Sequence, residues 1–200
     1  MLKQIPIAVL CSGGGTNLQA ILDAEAAGKL PSGHVALVVS DNAGAFALER
    51  AKKAGVETAV FDKKSIPDRK QREEAILSFL QEKGIGLVVL AGFMTILSEK
   101  FTRAFAMRII NVHPSLIPSF CGPGFYGLKV HEAALARGVK VTGATVHYVN
   151  EVCDGGPIIL QKAVAVEEGD TPEVLQKRVM REAEWQILPA AAELVCKKLL

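Results

Sequence analysis

The sequence lacks the features that would place it among nucleic-acid-binding or membrane proteins. Lys and Arg number 23 against 21 Asp and Glu, so the formal charge is only +2, and the lysines are scattered. This is not the basic patch that marks a nucleic-acid surface. No apolar run approaches the roughly 20 residues of a membrane-spanning helix, and the N-terminus has no signal-peptide pattern. We therefore expect neither a nucleic-acid partner nor a membrane partner.

Cysteine is also too sparse to build a disulfide framework or a metal site. Cys11, Cys121, Cys153 and Cys196 are far apart, and no Cys-x-x-Cys motif is present. Such spacing is typical of free thiols in a reducing compartment. We predict a cytoplasmic protein that needs no metal.

The sequence contains no internal repeat, and its first half alternates strand-sized apolar runs with helix-sized periodic ones. The predicted strands are residues 5–10, 35–40, 57–61, 87–91 and 109–110. They are apolar throughout rather than alternating with polar residues, as in strands covered on both faces. This pattern predicts an α/β protein with a parallel sheet and helices on both faces.

The pattern changes after Pro118. Residues 141–149 and 157–166 are predicted strands joined by a short Asp-Gly-Gly loop, which favours antiparallel neighbours. Asp170 or Thr171 is predicted to cap a last long helix that Pro189 kinks or breaks. We expect one domain over 1–200, with an N-terminal half of about 1–110 and a C-terminal half of about 111–200.

A glycine turn follows the first predicted strand. Gly13, Gly14 and Gly15 precede Thr16 and Asn17, either of which could cap the next helix. Glycines let the backbone approach a ligand closely, and a helix N-terminus favours an anion. The spacing matches neither the Walker pattern nor Gly-x-Gly-x-x-Gly, so we predict a phosphate of a nucleotide-like small molecule. The alternative is an ordinary tight turn.

Asn111 and His113 stand where the fifth predicted strand ends, just before Pro114. Ligands of open α/β sheets bind beyond the carboxyl ends of the strands, and residues two apart on a strand face the same side. An amide and a protonated imidazole can both donate to a developing oxyanion. The alternative for His113 is a core or capping histidine.

Asp154 is the candidate partner that would keep His113 protonated. It lies in the loop between the two late strands, followed by two glycines that could let a ligand close in. The alternative is an ordinary turn aspartate. We expect His34 and His131 in loops or on helix surfaces, and His147 in a structural or supporting position.

Five motifs together resemble the phosphoribosylglycinamide formyltransferase family over most of the chain. They are SGGGTN at 12–17, AGFM at 91–94, NVHPSLIP at 111–118, GATVHYV at 143–149 and DGGPII at 154–159. The resemblance implies a Rossmann-like formyltransferase fold and 10-formyltetrahydrofolate as co-substrate. It also implies direct attack of the glycinamide ribonucleotide amine on the formyl carbon, with no metal and no covalent enzyme intermediate.

The resemblance also implies roles for individual residues. Asn111, His113 and Asp154 would be catalytic. The substrate would be bound by Gly14, Gly15, Thr16, Asn17, Gly92, Met94, Pro114 and Glu184, with Glu184 on the ribose hydroxyls. The folate would be bound by Phe93, Met94, Thr95, Ile96, Leu97, Ile109 and Val152. We expect a monomer or a homodimer, and the sequence does not decide between them.

The sequence departs from the family pattern in three places. Thr95 stands where the family usually has a basic residue, the loop 121–126 is longer, and Glu184-Trp185 replaces Glu-His with one additional residue upstream. Core packing is the alternative for Phe93 and Met94, and a surface charge is the alternative for Glu184.

Three rival functions use the same scaffold. A methionyl-tRNA formyltransferase normally adds a basic C-terminal domain and a formyltetrahydrofolate hydrolase an N-terminal regulatory domain, and we expect neither here. A non-catalytic protein that binds a phosphate ligand would not need Asn111, His113 and Asp154 together.

Overall fold

The computed structural model describes residues 3–200 and is built around one seven-stranded sheet. Its strands are β1 (Ile5–Cys11), β2 (Gly33–Ser40), β3 (Glu57–Val60), β4 (Leu87–Leu90), β5 (Ile109–His113), β6 (Val141–Tyr148) and β7 (Ile158–Ala165). They lie in the order β3-β2-β1-β4-β5-β6-β7. The first five are parallel, and β6 is antiparallel to both β5 and β7. The predicted parallel sheet with an antiparallel extension is confirmed.

Helices cover both faces of this sheet. They are α1 (Thr16–Ala26), α2 (Phe46–Lys53), α3 (Arg69–Glu82), α4 (Glu99–Ala104), α5 (Leu128–Arg137), α6 (Pro172–Val179) and α7 (Trp185–Leu199). Because side chains alternate along a strand, β1 serves both layers. Ile7 and Val9 pack under α1, α2, α6 and α7, whereas Ala8 and Leu10 pack under α3 and α4. Burial on both faces explains the continuous apolar runs.

The cap of α1 differs from the expectation, and the cap of α6 is one of the two residues predicted for it. Neither Thr16 nor Asn17 caps α1, because Gly15 is the N-cap residue and leads into the helix in the left-handed conformation. At α6 the cap is Thr171, whose side chain accepts from the N–H of Val174. Its neighbour Asp170 instead receives two hydrogen bonds from one arginine of α6.

The last helix is interrupted before Pro189 rather than at it. A π-helical turn, Met180–Glu184, separates α6 from α7, and Pro189 lies inside α7. A proline ring displaces the carbonyl four residues earlier, here that of Trp185. The wide turn ends next to that residue, so the distortion falls upstream of the proline.

The strand ends bring distant parts of the sequence together at one edge of the sheet. The N–H of Ser12, after β1, donates to the Gly92 carbonyl after β4 at 3.1 Å. Asn111 and His113 end the neighbouring strand β5. The Ile117–Pro118 bond, whose isomer the sequence leaves open, is cis. In the described part of the chain, no helix is both long and apolar enough to cross a membrane.

Candidate active site

A cavity of about 660 Å³ opens beyond the carboxyl ends of the central strands. Its polar lining includes five of the predicted site residues, Asn17, Asn111, His113, Asp154 and Glu184. They come from the first turn of α1, from β5, from the loop after β6 and from the π turn. This is the edge at which open α/β sheets bind ligands.

The glycine turn contains one position that requires glycine for the fold and two that face open space. Gly15 has φ +70, and a Cβ there would lie 2.7 Å from both Cα and Cβ of Ala47. A Cβ on Gly13 or Gly14 would meet no atom within 4 Å. The turn therefore presents bare backbone to an open space, as a phosphate site requires.

Asn17 and Glu184 connect the two ends of the chain at the cavity wall. The Nδ2 of Asn17 donates to Oε2 of Glu184 at 2.7 Å. Glu184 is only 6% exposed, so it is not the surface charge that its helical position allowed. Burial raises the pKa of this carboxyl to about 7, and the bond from Asn17 acts in the opposite direction. The Glu184 carboxyl group, whose protonation changes near neutral pH, thus lines the cavity as a hydrogen-bond acceptor.

His113 makes its hydrogen bond to a loop rather than to Asp154. Its Nε2 lies 2.9 Å from the Phe120 carbonyl oxygen, which requires the proton on Nε2. Its Nδ1 faces Oδ2 of Asp154 at 3.6 Å, which is too long for a hydrogen bond. The loop carbonyl therefore occupies the donor that was predicted to meet an oxyanion.

The protonation expected for His113 is opposed by its burial. Burial lowers the pKa of this imidazole below the ordinary 6.5, and the nearby His147 adds to the decrease. The Phe120 carbonyl and Asp154 act in the opposite direction but do not offset it. The net direction is the reverse of the expectation, because one carboxylate at 3.6 Å does not compensate for the loss of water around the ring.

Asp154 is held as an anion between two imidazoles. Burial alone would raise its pKa, but His147, the Gly122 N–H and the charge of His113 hold the pKa below its usual range. The Gly122 N–H donates to Oδ2 at 2.8 Å, and Nε2 of His147 lies 3.6 Å from Oδ1. The Gly122 N–H therefore ties Asp154 to the loop, and the two imidazoles lie beside the carboxylate beyond hydrogen-bond distance.

His147 fixes the amide of Asn111. Its Nδ1 lies 2.8 Å from the carbonyl oxygen of Tyr148, so Nδ1 carries the proton and Nε2 is an acceptor. The Nδ2 of Asn111 donates to that Nε2 at 3.2 Å. His147 therefore lies in a supporting position, where its bond to Nδ2 fixes the orientation of the Asn111 amide.

The glycines after Asp154 serve the loop and not a ligand, contrary to the expectation. A Cβ on Gly155 would lie 2.5 Å from a Val152 methyl, and one on Gly156 only 1.8 Å from the Tyr148 carbonyl oxygen. Both glycines face protein atoms. Asp154 itself has φ +54, a left-handed conformation that Asp tolerates better than most residues.

A smaller cleft of about 120 Å³ continues from the main cavity between residues 93–97 and 149–154. Six of the seven residues predicted to bind folate line it, namely Phe93, Met94, Thr95, Ile96, Leu97 and Val152. Thr95 donates to Oδ2 of Asp41 at 3.0 Å. The prediction that Ile109 binds folate is wrong, because this residue is fully buried in the core cluster under α3 and α4.

The sequence interpretation missed His131. It lies on α5 and lines the main cavity, yet it is fully buried, and neither ring nitrogen has a hydrogen-bond partner among residues 3–200. Burial, with His113 nearby, lowers its pKa to about 4. The helical spacing of His131 with the apolar residues Val130 and Ala134, which are buried on the same helix, could have indicated that it is buried. His34, also expected in a loop or on a helix surface, lies in β2.

Comparisons with known proteins find relatives over nearly the whole chain. Residues 5–192 match the formyl transferase family. The phosphoribosylglycinamide formyltransferase of Haemophilus influenzae is 44% identical over 183 residues, which are 92% of this chain and 83% of that protein. The trifunctional purine biosynthetic protein adenosine-3 of Gallus gallus is 44% identical over 96% of this chain, which spans only 18% of that relative's length.

Solved structures give the same result for the fold. The crystal structure of glycinamide ribonucleotide transformylase 1 from Symbiobacterium toebii superposes with a TM-score of 0.91 and 46% identity. The match covers 99% of this chain and 90% of that one. With nearly its whole length matched in both sequence and structure, the chain belongs to the formyl transferase family.

Proposed function

We propose that this protein transfers the formyl group of 10-formyltetrahydrofolate to the amine of glycinamide ribonucleotide in de novo purine biosynthesis. The observation that carries the proposal is the shared cavity. Asn111, His113 and Asp154 line the same space as Asn17 and Glu184, so the proposed oxyanion and ribose sites are within reach of one small molecule. Asn17 also adjoins the glycine turn proposed for its phosphate. Relatives named for this reaction cover most of the chain.

The substrate would lie along the main cavity. Its phosphate would accept from the N–H groups of Gly14, Gly15, Thr16 and Asn17. Its ribose hydroxyls would donate to Glu184, and Gly92, Met94 and Pro114 would flank the ribose and the glycinamide. Two of these flanking residues follow β4, and the third follows His113 directly. The amine would then lie near the end of β5.

The folate would enter the smaller cleft with its pterin between residues 93–97 and the loop 150–154. Met94, Ile96 and Val152 are largely exposed there and offer apolar surface to a flat ring. Thr95 has no charge to offer the folate tail, and its hydroxyl is already bonded to Asp41. The N10-formyl group would point toward Asn111, which lines both spaces.

In the chemical step the amine nitrogen attacks the formyl carbon, and its new C–N bond replaces the bond to N10. The formyl oxygen becomes an oxyanion that accepts from Nδ2 of Asn111 and Nε2 of His113. The Phe120 carbonyl, now at that Nε2, must first give way. A neutral imidazole already donates from Nε2, and its pKa rises once the oxyanion forms beside it.

Proton movement completes the step. The amine loses a proton and N10 gains one, so no net acid or base is consumed. Asp154, an anion in the ligand-free protein, would accept the proton through a water and return it to the leaving nitrogen. The reaction needs positioning and oxyanion stabilisation but no metal. We infer that the protein acts in the cytoplasm, as a monomer or a homodimer.

The test is formyl transfer followed by the folate absorbance change, with and without glycinamide ribonucleotide. We expect turnover only when the ribonucleotide is present, and loss of that turnover in His113→Ala. Deformylation without the ribonucleotide would identify a hydrolase instead. No reaction in either sample, together with tight binding of the ribonucleotide, would identify a binding protein and overturn the proposal.

A further inference from the structure

Three successive carbonyl groups of the glycine turn are held from behind by one segment, residues 42–50. The contacts are Asn42 Nδ2 to Ser12 O at 3.2 Å, Ala47 N–H to Gly13 O at 3.1 Å and Arg50 Nε to Gly14 O at 2.9 Å. One side-chain amide, one backbone amide and one guanidinium therefore fix three peptide planes in a row. Such a run goes beyond what a tight turn needs.

These contacts decide which way the N–H groups of the turn point. In a trans peptide the carbonyl and the following N–H point in opposite directions. With the three carbonyls facing residues 42–50, the N–H groups of Gly13, Gly14 and Gly15 face the other side. A Cβ on Gly13 or Gly14 would touch nothing, so the turn is uncovered at these residues. The glycine turn thus presents a row of N–H donors that suits an anion.

Of the three donors only Arg50 brings a full charge. Its Nη1 also donates to Oε1 of Gln19 at 3.1 Å, and its guanidinium lies 5.0 Å from the centroid of the Phe46 ring. No carboxylate within residues 3–200 pairs with it, whereas Lys52 on the same helix pairs with Glu49. The aromatic ring and two hydrogen bonds hold the side chain in place, and its charge is left uncompensated beside the turn.

We propose that Arg50 is a positioning residue for the substrate phosphate. Its Nε holds the Gly14 carbonyl so that the Gly15 N–H faces the phosphate, and its charge favours the phosphate anion from behind the turn. This inference rests on the proposed function, because it assigns the phosphate to the glycine turn. It adds a residue outside the motif and outside the cavity wall.

The experiment compares Arg50→Gln, Arg50→Lys and the control Lys52→Gln on two substrates, glycinamide ribonucleotide and the ribonucleoside that lacks the phosphate. We expect Arg50→Gln to raise KM for the ribonucleotide about tenfold, the factor given by loss of one charge-assisted contact. Its kcat, its KM for folate and its kcat/KM for the ribonucleoside should stay close to wild type. Arg50→Lys should recover part of the affinity, and Lys52→Gln should resemble wild type.

A binding measurement separates this inference from the proposed reaction. Inorganic phosphate should raise the melting temperature of the wild type and of Lys52→Gln more than that of Arg50→Gln. If the wild type transfers no formyl group, the proposed function fails, but a phosphate effect lost only in Arg50→Gln still supports the role of Arg50. An equal phosphate effect in all proteins, or an equal loss of kcat/KM on both substrates, would overturn it.

Discussion

The side-chain amide of Asn17 donates a 2.7 Å hydrogen bond to the carboxyl group of Glu184, although 167 positions separate them in the sequence. The bond joins the first turn of α1 to the π turn before α7. Because Glu184 is buried, its pKa is raised to about 7. The charge of this one carboxyl group therefore changes near neutral pH.

Glu184→Gln should stabilise the ligand-free protein at alkaline pH. The folded-state pKa of about 7 lies above the ordinary 4.5, so Glu184 stabilises the fold below pH 4.5, and this stability is lost as the pH rises through 7. The loss is about 3 kcal/mol at most. We expect the variant to melt like wild type at pH 5 and several degrees higher at pH 8.

The matched control is Glu182→Gln, a change to a partly exposed carboxyl in the same π turn. It should leave the pH dependence of melting as in wild type. The ribose role of Glu184 predicts a higher KM for glycinamide ribonucleotide in Glu184→Gln, because an amide oxygen is a weaker acceptor than a carboxylate. An unchanged pH dependence of melting in Glu184→Gln would show that this carboxyl titrates normally.

Asp154→Asn should lower the pKa of His113 still further and reduce kcat at least about a hundredfold. Asp154 is one of two groups that oppose the effect of burial on that imidazole, and it also supplies the proposed proton relay. Asparagine tolerates the left-handed backbone at this position, so the variant should fold. NMR titration of the histidines and steady-state kinetics measure the two effects. Glu168→Gln, which changes an exposed carboxyl in the loop after β7, is the control, and normal turnover in Asp154→Asn would contradict the assignment.

Asn111→Ala should lower kcat by about 100- to 1000-fold with little change in either KM. Loss of one preorganised oxyanion donor has this effect on acyl transfer. The comparison is Gln81→Ala, which removes an exposed amide near the C-terminal end of α3 and should be silent. A rise in KM without a fall in kcat would mean that Asn111 binds the ground state and not the oxyanion.

Gly14→Ala and Gly15→Ala should separate binding from stability. A methyl at Gly14 enters open space, so the fold should persist while KM for the ribonucleotide rises. A methyl at Gly15 meets Ala47 at 2.7 Å on a backbone with φ +70, which should cost about 1–3 kcal/mol of unfolding free energy. Chemical denaturation and steady-state kinetics on both variants test the pair. Similar denaturation midpoints for the two variants would contradict the conclusion that the fold requires glycine at position 15 but not at position 14.

Periodicity and motifs were sufficient for the architecture and the family. Continuous apolar runs predicted the parallel strands, since both faces of that sheet are covered, and the Asp-Gly-Gly loop predicted the antiparallel pair. The α/β fold and the formyltransferase resemblance are confirmed. The roles of the individual site residues stay predictions. Their placement is largely as expected, because strand ends in such a sheet converge on one edge.

What the sequence could not supply depends on burial and on long-range contacts. The pKa of His113 follows from how much water its surroundings exclude, which no local pattern states. Ile109 was assigned to the folate site by the family resemblance, yet it is buried in the core cluster under α3 and α4. His131 looks like a surface residue of a short helix until the cavity behind that helix is known.

The π turn at Met180–Glu184 is a place where the protein could lose one residue without losing its fold. One residue added to or removed from an α-helix rotates everything beyond it by about 100°, which would carry either α6 or α7 off its contacts. A π turn stores one residue more than an α turn. Removing the codon of Arg181 or Glu182, whose side chains are not buried, would convert it to an ordinary turn with both flanking helices still in phase. The same deletion within α7 would misalign its buried face. The chain thus carries one site in this helix where its length can change by a residue without disturbing the core.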